Sequence, residues 1–299
     1  MKIFITGANG LLGQNLIKKL VENNEHNTIA SGRGEARVNI PEGKKYLYVP
    51  LDITNGIDVL DKITLHKPDV IIHTAAITQI DDCEADKIGS WNTNVTATRF
   101  LISAAADVNA RLIYISTDFV FDGLNGPYIE TDLPAPINYY GSTKVAAEKS
   151  VIDSNLNWCI IRTVLVYGNI LTGNRSNIIS WVQQNLKEGK KISVVTDQWR
   201  TPTYVNDLVD GILLALDKNA SGIYHISGAE MLTPYEIATA TAKYLGLDET
   251  LIEKVDAASF SQVAKRPAKT GFIIDKATKE LGFQPLSFTA GLQKMFQDK

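Results

Sequence analysis

The sequence predicts a doubly wound α/β fold, a parallel sheet between two layers of helices, with a smaller α/β lobe supplied by the C-terminal part of the chain. Three observations predict it. Short apolar runs alternate with amphipathic stretches through the first half of the chain, which is the pattern of βαβ units. A glycine-rich turn, Gly7-Ala8-Asn9-Gly10-Leu11-Leu12-Gly13, follows the first apolar run and opens the first amphipathic stretch. From about residue 168 the regular alternation breaks into less periodic segments.

Taken in order, strands are expected at residues 2–6, 28–31, 45–49, 70–74, 111–116 and 158–163, with helices at 11–22, 56–66 and 90–107 between them. The remainder reads as a helix at 177–188, a Thr- and Pro-containing segment at 194–204, a helix at 206–217 and a strand at 222–227. A helix at 233–245, a polar stretch at 257–270 and a final helical segment after Pro285 complete it. Residues 1–167, with 204–228 returning to them, are expected to form the dinucleotide-binding domain, and 168–203 with 229–299 the substrate lobe.

Composition narrows the function classes. At 299 residues and 32.8 kDa the chain is long enough to bury about three quarters of its unfolded surface without staples. Thirty Lys and Arg against 33 Asp and Glu leave a net charge of -3 with no long block of one sign, so neither nucleic acid nor a membrane surface is an expected partner. Two cysteines, Cys83 and Cys159, and four histidines are too few for a disulfide framework or a Cys/His zinc site, and no metal is expected. The first residues run directly into the glycines and no apolar run reaches ~18 residues;. The expected compartment is a reducing cytoplasm.

The glycine turn is the first candidate site. Gly7 and Gly10 permit a tight turn, Gly13 lets the helix pack closely, and the helix N-terminus presents N–H groups to a pyrophosphate. An NAD-type site usually carries an acidic residue at the end of the second strand; here that strand ends Ala30-Ser31-Gly32-Arg33, with Arg37 nearby. Small and basic groups suit a 2′-phosphate, so NADP(H) is the expected cofactor, with NAD(H) as the alternative. Two simply solvated arginines would look the same. Asp52-Ile53, after the third strand, is placed to flank the adenine.

The second candidate is Tyr140-Gly141-Ser142-Thr143-Lys144. Four residues apart on a helix, the phenol and the ammonium share a face, and the cation favours the phenolate. Thr117, in Ser116-Thr117-Asp118 at the end of the fifth strand, can offer a hydroxyl to the same substrate oxygen. The combination resembles the extended short-chain dehydrogenase/reductase family, and the resemblance covers essentially the whole chain.

The resemblance narrows to that family's dTDP-4-dehydrorhamnose reductase branch. It is carried by Ser116-Thr117-Asp118-Phe119-Val120-Phe121-Asp122-Gly123, by Pro127-Tyr128-Ile129-Glu130 and by the Tyr140–Lys144 motif. Ala75-Ala76-Ile77-Thr78 with Glu84 and Asn94, and Asp197-Gln198 with Thr201-Pro202-Thr203-Tyr204-Val205-Asn206-Asp207, are similar as well. Sugar-nucleotide dehydratases carry Asp-Glu after the Thr, whereas Asp118 is followed here by Phe119.

The resemblance implies a Rossmann domain and reduction of the 4-keto group of a nucleotide-linked 6-deoxyhexulose. In it Tyr140 donates the proton, Lys144 binds the nicotinamide ribose and Thr117 orients the carbonyl. Ala75, Ala76 and Thr78 would line the cofactor, Asn94 would support the site and Arg162 would flank the nicotinamide. Arg200 and Arg266 would bind the diphosphate of a nucleotide-sugar substrate. A homodimer is compatible with the branch.

Other readings stay open. One is a non-catalytic regulatory subunit resembling that of methionine adenosyltransferase; another is a nucleotide-sugar epimerase, against which the basic end of the second strand argues. Reductases of the branch often have Gly after Asp-Gln-x, whereas this chain has Trp199-Arg200, and Trp199 could stack on a base or pack the lobe. His73 and His225 sit in apolar strands as core residues, Cys83 lacks a partner base, and Asp81, Asp82 and Glu84 suit a helix-entry surface better than a divalent ion.

Overall fold

The computed structural model describes residues 1–173, 177–260 and 263–297; residues 261 and 262 of the polar stretch lie outside the described residues. The main sheet is built from β1 (Lys2–Thr6), β2 (Asn27–Gly32), β3 (Tyr46–Pro50), β4 (Val70–His73), β5 (Arg111–Thr117) and β6 (Trp158–Thr163). A seventh strand completes it, following the short strands β7 (Val166–Tyr167), β8 (Ile192–Val195) and β9 (Thr203–Tyr204) in the chain: β10 (Gly222–His225). All pairings are parallel, in the order β10-β6-β5-β4-β1-β2-β3. The order reverses between β1 and β4, which opens a crevice at their carboxyl ends.

The inner strands read as unbroken apolar runs because both faces are covered. Ile3, Ile5, Ile72, Ile113 and Ile161 point to one face. There they meet α1 (Leu11–Asn23). Phe4, Ile71, Leu112 and Ile160 point to the other, against α2 (Gly56–His66) and, after the short helices α3 (Ile80–Ala85) and α4 (Lys87–Trp91), α5 (Ala97–Asp107) and α6 (Tyr139–Ile152). Each such side chain contributes about 1.5–3 kcal/mol by burial.

The helix expected over 90–107 is interrupted by a π-helical turn at Asn92–Thr96. There the extra residue per turn directs Asn94 out of the helical register.

Beyond β7 come α7 (Ile178–Lys187), α8 (Val205–Asp217), α9 (Pro234–Leu245), the strand β11 (Ile252–Val255) and α10 (Phe288–Gln297). Helix α8 packs on α1 and β10 extends the main sheet beside β6. Strands β8 and β11 form a separate parallel pair, covered by Val182 and Leu186 of α7 and Ala238 and Ala242 of α9. Among the described residues no helix is long and apolar enough to cross a membrane.

Candidate active site

The glycine turn sits at the crevice. Gly7 has φ +74, and a Cβ there would lie 2.7 Å from Ala75 N and Thr74 Oγ1, so the turn after β1 presses on the loop after β4. A Cβ on Gly13 would lie 2.2 Å from Gly7 O, which holds α1 directly on the turn. Gly10 is the N-cap of α1, brings no side-chain acceptor, and is followed by no acidic residue in the first turn. The first helical bond runs from Gln14 N to Gly10 O at 3.0 Å. The N–H groups of Leu11, Leu12 and Gly13 precede it, and an oxyanion is their matching acceptor. These residues fit the pyrophosphate of a dinucleotide.

The loop after β2 lies alongside. Arg33 and Arg37 are exposed, and Asn9 reaches from the glycine turn to this loop. Two neighbours depart from their expected places. Ser31 is sealed inside, its hydroxyl donating to Ile5 O at 3.2 Å. Ile53 belongs to the core beside Val59 and Ile63; a β-branched apolar side chain at the sheet edge gains more from that packing than from contact with a ligand. Asp52 is exposed. Bonds from Thr54 N and Oγ1, then the nearby Arg33, hold its carboxyl below the usual range.

Thr117, Tyr140 and Lys144 come together where β5 meets α6. All three are buried. Lys144 Nζ donates to Ile115 O of β5 at 2.8 Å and lies 4.2 Å from the Tyr114 ring centre. Burial pushes its amine down to about 7, partly offset by the Glu148 carboxylate and more weakly by Cys83. The Tyr140 ring packs edge-on to Phe119, centroids 6.0 Å apart. Thr117 Oγ1 donates to Asp118 Oδ1 (3.1 Å) and accepts from Phe119 N (3.3 Å).

Two features set the approach of α6 to this strand end. Asn138 caps the helix, its Oδ1 accepting from Gly141 N at 2.8 Å. At Gly141 itself a Cβ would lie 2.1 Å from Phe119 O. Gly141→Ala must therefore push α6 from the Thr117–Phe119 backbone; it is expected to cost about 1–3 kcal/mol, read as a lowered Tm.

Asn94 joins the site from the π-turn. Its Nδ2 donates to Ile77 O and Thr143 Oγ1, both at 3.0 Å, while its Oδ1 accepts from Ile77 N at 2.9 Å. One buried amide thus ties the loop carrying Ala75, Ala76 and Thr78 to α6. Beneath the loop His73 lies between Thr6 Oγ1 (2.7 Å) and Thr98 Oγ1 (3.1 Å). Burial lowers its pKa to about 3, so it is neutral.

The arginines depart most from expectation. Arg162 is buried and paired bidentately with Glu148 of α6, Nε–Oε1 3.0 Å and Nη2–Oε2 2.7 Å. It faces the sheet–helix interior, where a buried guanidinium requires a carboxylate. Arg200 is also buried: it donates to Trp199 O, Pro267 O and Ala268 O, and its Nε lies 3.7 Å from Asp118 Oδ2. Its charge compensates Asp118, whose carboxyl burial pushes up while Arg200 and the Thr270 hydroxyl pull it back. Arg266 stays partly exposed and pairs with Asp81 at 2.8 Å, the same carboxylate accepting from Ala264 N. The segment after β11 is thereby fastened to α3.

Glu148 is the site residue that sequence reasoning missed, although it stands four residues beyond Lys144 as Lys144 stands beyond Tyr140. Sequence pattern places Asp118 in a motif and Asp81 on a helix-entry surface, but does not make them the partners of Arg200 and Arg266.

The RmlD substrate binding domain family matches residues 1–299. A dTDP-4-dehydrorhamnose reductase of Aggregatibacter actinomycetemcomitans is 30% identical over 306 residues, covering 98% of each chain. Methionine adenosyltransferase 2 subunit beta of Mus musculus is 32% identical over 265 residues, 85% of this chain and 75% of the relative. The crystal structure of a dTDP-4-dehydrorhamnose reductase from Bacillus anthracis in complex with NADP superimposes with a TM-score of 0.86 at 32% identity, over 100% of this chain and 99% of that one. The full-length match, the glycine turn at the crevice and the convergence of Thr117, Tyr140 and Lys144 agree: the chain belongs to the RmlD family.

Proposed function

We propose that the protein is an NADPH-dependent reductase acting on the 4-keto group of a dTDP-linked 6-deoxyhexulose. The observation that carries this reading is a phenol packed on Phe119, a buried ammonium bonded to Ile115 O and the Thr117 hydroxyl, all at the carboxyl end of β5, in the sheet whose β1 leads into the uncapped helix N-terminus. The cofactor would be held by the Gly7–Gly13 turn, by Ala75, Ala76 and Thr78, and by Lys144, with Arg33 and Arg37 beside the 2′-phosphate. When bound it supplies the hydride.

The chain's own residues do the rest. Thr117 turns its hydroxyl from Asp118 to the substrate carbonyl, Tyr140 donates the proton to the developing alkoxide, and the Lys144 cation offsets the phenolate left behind. Arg266, released from Asp81, is the partly exposed guanidinium that would bind the diphosphate. Arg200 acts as the counter-charge of Asp118 and holds the backbone at Pro267 and Ala268.

The test is NADPH oxidation with dTDP-4-keto-6-deoxysugar beside its UDP- and GDP-linked analogues. Turnover of the dTDP substrate supports the reading. Binding without turnover on all three favours the second reading, a regulatory subunit, for which the similarity to methionine adenosyltransferase 2 subunit beta speaks.

A pH dependence follows. Lys144 is a cation below about 7 and neutral above it in the free protein, so kcat/KM should fall as pH rises through that value. Lys144→Arg keeps its charge and should move this limb upward. A wild-type profile flat to about pH 9 would mean that the Lys144 amine is not depressed by burial when the protein turns over.

A further inference from the structure

Tyr48 lies on β3, outside every motif considered so far, yet its phenol is the centre of a hydrogen-bonded hub. Its oxygen lies 3.1 Å from Gly32 O and 3.0 Å from Gly34 O, which share its one proton, and accepts from Asn9 Nδ2 at 3.1 Å. The Asn9 side chain continues the hub. Its Nδ2 also reaches Arg33 O (3.1 Å) and Glu35 O (3.0 Å), and its Oδ1 accepts from Arg37 N (3.0 Å). Two side chains thus engage the backbone of Gly32, Arg33, Gly34, Glu35 and Arg37.

Asn9 is itself part of the glycine turn, and its carbonyl accepts from Gln14 Nε2 at 3.0 Å. The closeness is built in at Gly32, where a Cβ would lie 3.3 Å from the Tyr48 oxygen and 3.4 Å from Asn9 Nδ2. The hub therefore ties the backbone that carries the two exposed arginines to the glycine turn. A glycine-containing loop of this kind is otherwise free to sample many backbone states.

We infer that Tyr48 is the positioning residue for cofactor choice: acting through Asn9, it fixes Arg33 and Arg37 where they read the 2′-phosphate of NADPH. The inference rests on the NADPH reading of the previous subsection. Tyr48 touches backbone oxygens and an amide, so it acts through the arginines and not on the cofactor. Preorganising two long cationic side chains on a fixed backbone lowers the ordering cost of binding. That gain exists only for a ligand that carries the extra phosphate.

The test is equilibrium binding by calorimetry, independent of turnover, of NADPH, NADH, 2′,5′-ADP and 5′-AMP to the full chain and to Tyr48→Phe, Arg33→Ala and Arg37→Ala. Tyr48→Phe removes one oxygen and keeps the ring in the sheet. It is expected to weaken NADPH and 2′,5′-ADP by about five- to tenfold, the range of a neutral hydrogen bond or two, and to leave NADH and 5′-AMP within about twofold. At least one arginine variant should show the same selective loss.

If Tyr48→Phe weakens both cofactors equally, or neither, while an arginine variant lowers the NADPH/NADH ratio, the hub assignment is wrong and the 2′-phosphate reading stands. If neither arginine variant changes that ratio, the reading and the inference fall together.

Discussion

Tyr140→Phe should lower kcat by about 10²- to 10⁴-fold, the range for a positioned general acid, while the dissociation constant for NADPH stays within about threefold. The ring is buried and packs edge-on to Phe119, and phenylalanine preserves that packing. What is lost is the one hydroxyl that the reading places between the substrate oxygen and the Lys144 cation. Lys144 keeps its bond to Ile115 O, so the cofactor-facing side of the site should be unaltered. Stopped-flow or steady-state NADPH oxidation together with fluorescence titration separates the two effects. A variant with wild-type kcat would take Tyr140 out of the chemistry.

The largest stability effect is expected at Arg162. Its bidentate pair with Glu148 lies between β6 and α6 with both side chains almost fully excluded from water, 2% and 3% exposed. Arg162→Met leaves the Glu148 carboxylate buried without its partner, a change that costs about 3–5 kcal/mol. The Tm should fall by roughly 6–10 °C, at about 2 °C per kcal/mol for a chain of this size. Replacing Glu148 by Leu in the same protein removes the stranded charge and should recover much of the loss. Thermal unfolding of wild type, single and double variants decides it; a double variant no better than the single would mean that the pair's geometry, not its charge, carries the stability. Catalysis should not recover in parallel, because Glu148 is also the carboxylate that sustains the charge on Lys144.

The sheet was legible because its inner strands are covered on both faces and so appear as continuous apolar runs. Ile3 to Ile5 and Ile160 to Ile161 could be read in that way. Strands β8 and β11 could not, since each is four residues long and buries only Ile192 and Val194 in one and Ile252 in the other against α7 and α9. The π-turn at Asn92–Thr96 leaves no mark in periodicity beyond a one-residue slip within an otherwise helical pattern.

At the site, the residues legible in sequence were those whose spacing is local: the glycines of one turn, and a phenol and an amine one helical turn apart. Directions of long side chains were not. Arg162 and Arg200 lie where a ligand-facing cation was expected, yet both point inward. Their partners Glu148 and Asp118 stand 14 and 82 residues away in sequence. A guanidinium takes the side that offers a carboxylate and backbone carbonyls, and only the fold says which side that is. Tyr48 belongs to the same class, since its partners on the glycine turn and the β2 loop converge through the pairing of β2 with β3.

The central claim, that Tyr140, Lys144 and Thr117 reduce a sugar ketone at the end of β5, is tested most directly by isotope transfer. The protein is incubated with NADPH carrying deuterium at both C4 positions of the nicotinamide and with dTDP-4-keto-6-deoxysugar, and the product is analysed by mass spectrometry and NMR. One deuterium is expected on the former carbonyl carbon, with incorporation suppressed in Tyr140→Phe. Tight binding of both nucleotides without deuterium in the sugar would contradict it.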